Sequence, residues 1–356
     1  MKKILIIDDS ALMRRVLSDI INKTKEYCVT YTANDGIEGL SVIEEHDDIT
    51  AVFSDINMPR MNGLELLQVL KKKHIDIPVI MISSSEEASD TITALELGAI
   101  EFIKKPEKVF GQSNVAFERR LRNALDIAAG LNGVSTETKP VSNTEVIPEV
   151  TKEPRNKSRN KSRNAKRLVA LVCSTGGPRA LQSVLPKLPP DLAAPVIIVQ
   201  HMPAGFTGTL AERLDSQSSI KVKEAEDGEP LKNGVVYIAK GGSHLTVSEA
   251  DGRFRVKFDD SPPVVGLKPF GNIMYTSLCD LSYDEIVCVV LTGMGEDGTK
   301  GILKLSSKKD TYVIAQDEAS STVYGMPKAV YERGLTDCVC DLNLIAEKIT
   351  KKVGVL

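Results

Sequence analysis

Two long stretches of this chain alternate short apolar runs with helix-spaced apolar positions, and a polar stretch separates them. In the first, runs at Ile4–Ile7, Ala51–Phe53, Val79–Ile82 and Phe102–Ile103 predict strands, with a weaker one around Cys28–Thr32. Between them, Leu12-Val16-Leu17-Ile20, Leu64-Leu67-Leu70 and Ile92-Leu95 recur at helical spacing. That alternation predicts a parallel sheet covered on both faces. In the second stretch, Leu168–Val172, Val196–Val199, Ile286–Leu291 and Tyr312–Ala315 predict buried strands of another, mostly parallel α/β sheet. From Gly234 to Phe258 the pattern shifts to short alternating strands with glycine turns, GVVYIAKGGSHLTVS and RFRVKF, which predicts an antiparallel hairpin attached to that sheet.

From Leu131 to about Lys166 no apolar period survives. Gly, Ser, Thr, Pro, Asn and Glu dominate to Pro154, and the basic tract RNKSRNKSRNAKR follows. Such composition buries too little apolar surface to offset its ordering entropy. The expected organisation is a domain over 1–130, a flexible linker over 131–166 and a second domain over 167–356. The basic tract reads as a solubilising tether in preference to a nucleic-acid or lipid contact.

In the second half the apolar run RLVALVC breaks into Ser174-Thr175-Gly176-Gly177-Pro178. Ser174 thus falls at the carboxyl end of a buried strand, where open α/β sheets place ligands. It is either the cap of the next helix or a nucleophile. A nucleophile needs a base. Of the four histidines, His46 and His74 lie in the first half; His201 follows the buried run PVIIVQ, and His244 lies in the hairpin region. His201 is the better base, and His244 reads as a surface or structural histidine. The run ending CVVLTGMGEDG carries Glu296 and Asp297, either of which could orient the imidazole; Asp297 could equally cap a helix. The glycines beside Met294 let backbone N–H groups approach a ligand closely, as an oxyanion site requires. The order Ser, His, Asp differs from the common α/β-hydrolase order.

In the first half polar groups follow the strands: Asp8-Asp9, Asp55 within FSDINMPRMNG, Ser83 within VIMISSS, and Lys105-Pro106. Parallel strands bring their carboxyl ends to one edge, so three carboxylates would gather there. They would repel one another without a divalent cation, and an all-oxygen set suits Mg²⁺. A lysine and a hydroxyl beside it would complete a phosphoryl site.

At 356 residues and a net charge of −3, the chain gives no reason to expect nucleic acid or an acidic membrane as its main partner. No run approaches the roughly 20 apolar residues needed to span a bilayer. MKKILIIDDS turns acidic too soon for a signal peptide. The six cysteines form no Cys-x-x-Cys or His-Cys metal spacing. A cytoplasmic monomer is expected.

The first half, through the acidic pair, SDINMPRMNG, the hydroxyl residue and Lys-Pro, resembles the receiver domain of two-component response regulators. The resemblance implies a five-stranded doubly wound fold and phosphorylation of Asp55 by a histidine kinase. It implies Mg²⁺ held by Asp8, Asp9, Asp55 and the Asn57 carbonyl. Ser83 and Lys105 would contact the phosphoryl group, and Phe102 would switch rotamer. The second half, through STGGP, VQHMP, GFTGTLAERLD, EAEDGEPLKNGVVYIAKGGSHL, DSPPV, VLTGMGEDG and IAQDEASSTVYGMPKAV, resembles the chemotaxis protein-glutamate methylesterases, and the domain order matches too. This implies Ser174 as nucleophile, His201 as base and Asp297 as orienting acid, with Thr175 and the Met294 backbone on the oxyanion side. The implied substrates are methyl-accepting chemoreceptors, whose glutamyl methyl esters are hydrolysed and whose glutamines are deamidated. The esterase chemistry would need no metal, and the receiver is expected to cover the groove until Asp55 is phosphorylated.

The sequence departs from that family at Val172, where glycine is usual, and at Ala204, where proline is frequent. GLKPFGN (266–272) lacks the family's His, Ser and Asp. Val172 is expected to shift the helix after Ser174 slightly. Two other functions fit the sequence less well. An adaptor with an inactive hydrolase fold is disfavoured by the intact Ser174, His201 and Asp297. A transcription factor is disfavoured by the lack of a helix-turn-helix pattern.

Overall fold

Buried strands rich in Val and Ile organise two compact units, over 1–143 and 144–356. The computed structural model describes residues 1–83, 88–105, 115–131 and 165–356. The linker expected over 131–166 therefore lies, from 132 to 164, outside the described residues, as do Pro106 and the side chain of Ser83. Among the described residues no helix is long and apolar enough to cross a membrane.

The first unit runs β1 (Lys2–Ile7), α1 (Ala11–Asn22), β2 (Tyr27–Ala33), α2 (Gly36–Glu45), β3 (Ile49–Asp55), α3 (Gly63–Lys72), β4 (Val79–Ser83), α4 (Ala88–Leu97), β5 (Glu101–Lys104) and α5 (Val115–Leu131). Its five parallel strands lie in the order β2-β1-β3-β4-β5. Every predicted strand is present, the weak one included. The register of α1 differs from the prediction: Met13, Leu17 and Ile21 are buried and Leu12 is exposed. Ser10 caps the helix by accepting from Met13 N, and the buried stripe sits one residue further along than predicted.

The second unit runs β6 (Arg167–Cys173), α6 (Gly177–Val184), β7 (Val196–Gln200), α7 (Thr207–Gln217), β8 (Lys221–Glu224), β9 (Val235–Ile238), β10 (His244–Ala250), β11 (Arg253–Asp259), α8 (Gly271–Ser277), β12 (Glu285–Val290), α9 (Thr299–Lys308), β13 (Thr311–Gln316), α10 (Met326–Glu332), β14 (Cys338–Cys340) and α11 (Ile345–Val353). Seven strands order as β14-β13-β12-β6-β7-β9-β8, and every pairing among them is parallel. The antiparallel hairpin is β10–β11, a separate two-stranded sheet. The alternation starting at Gly234 misled in one respect: β9 joins the parallel sheet beside β7, because three of its four residues are buried and its neighbours are strands of the main sheet. The short strands β8 and β14 carry too few apolar residues to have been read from periodicity.

The chain leaves β6 for β7 on one side and returns later to β12 on the other. That reversal opens a crevice at the strand carboxyl ends, the expected ligand position of such sheets.

Candidate active site

In the second unit the predicted polar residues follow strand ends that border this crevice. Cys173 of β6 stands opposite Gln200 of β7, and His201 N donates to Cys173 O at 3.1 Å. Ser174 and His201 therefore leave adjacent strands at the same level. On the other side, Val290 of β12 stands opposite Val172, and the loop 291–298 carries Asp297.

The turn after Ser174 is built on backbone geometry. Gly176, at φ +76, caps α6 without a side-chain bond, and a Cβ there would lie 2.4 Å from Thr322 Oγ1. Gly177 N donates to Ser174 O at 2.8 Å, and Ser174 N donates to Thr292 O at 3.0 Å. The Ser174 hydroxyl is thus not a helix cap. Thr292 ties the turn to the opposite loop: its hydroxyl donates to Thr175 O at 2.9 Å and accepts from Val323 N at 2.9 Å, and its own N–H donates to the buried Gln316 side chain at 2.8 Å.

His201 and Asp297 are paired and buried, with 2.7 Å from Nε2 to Asp297 Oδ2. Asp297 also accepts from Gly271 N at 2.6 Å, Asn272 N at 2.8 Å and Gly298 N at 2.8 Å. A carboxylate holding three backbone N–H groups is fixed as an acceptor, so His201 donates from Nε2. His201 Nδ1 is buried and finds no hydrogen-bond partner among the described residues. The ring lies nearly parallel to Phe270, with centroids 6.1 Å apart. Of the two acidic candidates, Glu296 turns outward to Lys300 at 3.1 Å. Asp297 does cap a helix, but that helix is α8 and not the one that follows it. His244 is fully buried, its Nε2 3.2 Å from Pro262 O, which makes it structural and not a surface residue.

The glycines flanking Met294 divide their roles. Gly293 N donates to Val323 O at 3.0 Å, so this N–H is not turned toward a ligand as expected. A Cβ at Gly293 would lie 2.8 Å from Ser174 Cβ, so its lack of a side chain brings the loop against Ser174. Met294 itself is 39% exposed, and Thr175 is buried.

Two contributors escaped the sequence reading. Gln200 Oε1 accepts from Cys173 Sγ at 3.0 Å, and its Nε2 donates to Ser174 O and His201 O. A polar residue closing the apolar run VIIVQ was the available signal. Gly271 and Asn272 lie 26 and 25 positions before Asp297, and nothing in their spacing announces the contact.

In the first unit, Asp8, Asp9 and Asp55 bring carboxylate oxygens within 4.8 Å of one another. Lys105 Nζ lies 2.6 Å from Asp55 Oδ2 and 3.4 Å from Asp8 Oδ2. Burial pushes the Asp55 carboxyl up to about 6, against the pull of Lys105. Burial likewise raises Asp8, whose Oδ2 is buried without a hydrogen-bond partner among the described residues. Three clustered carboxylates with Lys105 beside them fit a hard cation with oxygen ligands. Phe102 is buried on β5, and Ser83 ends β4.

Comparison with known proteins adds an independent line. The family described as CheB methylesterase matches residues 169–349, and the response regulator receiver domain family matches residues 4–110. The chain is 41% identical over 355 residues to the protein-glutamate methylesterase/protein-glutamine glutaminase of Geobacillus kaustophilus, covering 99% of each. It is also 41% identical over 364 residues to the Bacillus subtilis protein of that name, again covering 99% of each. The crystal structure of the Thermotoga maritima CheB methylesterase catalytic domain superposes with a TM-score of 0.52 at 42% identity, covering 53% of this chain and 100% of that one.

Proposed function

This chain belongs to the CheB methylesterase family, and from that premise we propose that it is a phosphorylation-controlled hydrolase of chemoreceptor side chains. It removes methyl esters from receptor glutamates, releasing methanol, and deamidates receptor glutamines. The observation that carries the reading is the buried His201–Asp297 pair, set one strand away from Ser174 at the crevice.

The geometry supports a separate task for each nitrogen. Asp297 takes Nε2–H, which leaves Nδ1 as the basic nitrogen. Nδ1 accepts the Ser174 hydroxyl proton as Oγ attacks the ester carbonyl. Asp297 stabilises the imidazolium that forms. Thr175 and Met294 contribute backbone N–H groups to the oxyanion. The C–O bond to the methoxy group breaks, and Nδ1–H protonates the leaving oxygen. Water, deprotonated by the same nitrogen, then cleaves the acyl-enzyme and frees Ser174. With glutamine the leaving group is ammonia.

In the receiver, an Asp55 carboxylate oxygen attacks the phosphorus of a kinase phosphohistidine, and the N–P bond breaks. Asp8, Asp9, Asp55 and the Asn57 carbonyl would hold Mg²⁺, which neutralises charge on the phosphoryl oxygens. Lys105 pairs with the phosphoryl group, Ser83 bonds to it and Phe102 changes rotamer. The receiver spans 1–130, the linker 131–166 and the esterase 167–356, and phosphorylation shifts the population toward active esterase. The protein acts in the cytoplasm, with a chemotaxis histidine kinase and chemoreceptors as partners.

The test is methanol release from methylated receptor membranes, with and without a small phosphodonor and Mg²⁺. Release that rises with the phosphodonor supports the reading, and no release under either condition overturns it.

A further inference from the structure

The two places where the sequence departs most from the pattern it resembles, Val172 and residues 266–272, meet in space. Val172 is fully buried on β6, two residues before Ser174. A Cβ placed on Gly271 would lie 2.7 Å from Val172 Cγ2 and 3.0 Å from Asp297 Oδ2. A Cβ placed on Gly298 would lie 3.0 Å from Val172 Cγ1. Each methyl of Val172 thus abuts one glycine, and both glycines donate their N–H to Asp297, at 2.6 and 2.8 Å. The valine occupies the space that a side chain at 271 would need.

Resting on the Ser174–His201–Asp297 reading, we propose that Val172 is a positioning residue for Asp297. Its methyls set how closely the Gly271 and Gly298 backbones approach β6. Those two N–H groups, with that of Asn272, fix the carboxylate, and the carboxylate fixes the His201 ring. One side chain on the nucleophile's strand thereby sets the geometry of the acid on the opposite loop. Close packing transmits the position, because the interior has no slack to absorb a displaced methyl group.

The pairing makes a reciprocal prediction for the full-length, phosphodonor-activated protein. Gly271→Ala drives a methyl into Val172 and into the carboxylate. It lowers kcat about 10–100-fold while KM stays within about twofold, the cost of a small misplacement near the chemistry. Val172→Ala loosens the cradle and lowers kcat less. The double variant Val172→Ala/Gly271→Ala refills the space and recovers at least about tenfold over Gly271→Ala, a coupling that independent sites do not show. The Nε2–H proton resonance of His201 shifts in Gly271→Ala and returns in the double variant. Thermal unfolding gives the folded fraction, so that kcat is expressed per folded molecule. Losses that simply multiply in the double variant overturn the proposal, as do losses that vanish after correction for folded fraction. If wild-type protein releases no methanol, the esterase reading fails, and the His201 resonance still decides whether Val172 and Gly271 are coupled through Asp297.

Discussion

The side-chain amide of Gln200 donates to the carbonyl oxygen of Ser174 at 3.0 Å. The same nitrogen reaches His201 O at 3.3 Å, so one buried group holds the backbones of Ser174 and His201. Gln200→Met keeps the volume and removes the donor. Ser174 O keeps its bond from Gly177 N, so the cost is that of losing the tie to His201 O and the acceptor of Cys173 Sγ, about 1–3 kcal/mol. The expected outcome is that loss in urea unfolding of the second unit, with kcat reduced about tenfold at constant KM. Unchanged methanol release per folded molecule would contradict the role given to Gln200.

Asp297 accepts four hydrogen bonds, and an amide cannot replace it. In Asp297→Asn the NH₂ group must face either Asn272 N and Gly298 N or Gly271 N and His201 Nε2, and all of these are donors. In the second orientation the imidazole is forced toward the wrong tautomer, and in the first, two backbone donors of the cradle lose their acceptor. Methanol release should fall about 10³–10⁴-fold, as in other triads that lose their acid. Ser174→Ala should fall at least as far, while circular dichroism of both variants stays native.

The receiver and the esterase should respond separately to metal removal. Chelation of Mg²⁺ is expected to abolish the response to a small phosphodonor and to leave basal methanol release within about twofold, because no acidic ligand set contributes to the esterase reading. Asp55→Asn should likewise remove the response at any Mg²⁺ concentration. A phosphodonor response surviving in Asp55→Asn would refute the assignment of the phosphorylated residue.

Glu285 anchors the far end of the second sheet. It is buried, with Lys352 Nζ of α11 at 2.9 Å and Arg167 Nε at 3.5 Å. Glu285→Leu removes the carboxylate from both cations and leaves Arg167 its bond to Val353 O and Lys352 its place over the Tyr312 ring. A loss of about 1–3 kcal/mol in denaturant unfolding is expected, with kcat per folded molecule unchanged, since the residue lies at the start of β12 and the chemistry at its other end.

Sequence alone determined where most of the buried strands lie and which polar residues end them. Runs such as Leu168–Val172 and Val196–Val199 must be buried, and the residue after such a run must surface at a sheet edge. Ser174, His201 and Asp297 were legible as candidates for that reason, and so were Asp8, Asp55 and Lys105. The sequence left Ser174 open as a helix cap and Asp297 open beside Glu296, because a motif does not say which atom faces which. Tertiary structure decided those points. It gave the capping of α6 to Gly176, turned Glu296 to Lys300, and bound Asp297 to backbone N–H groups 25 and 26 residues earlier. It also placed β9 within the parallel sheet and brought Val172 against Gly271. Periodicity reports which face of an element is buried, but contacts between distant loops depend on how those elements pack. That packing fixes the Asp297 carboxylate against His201.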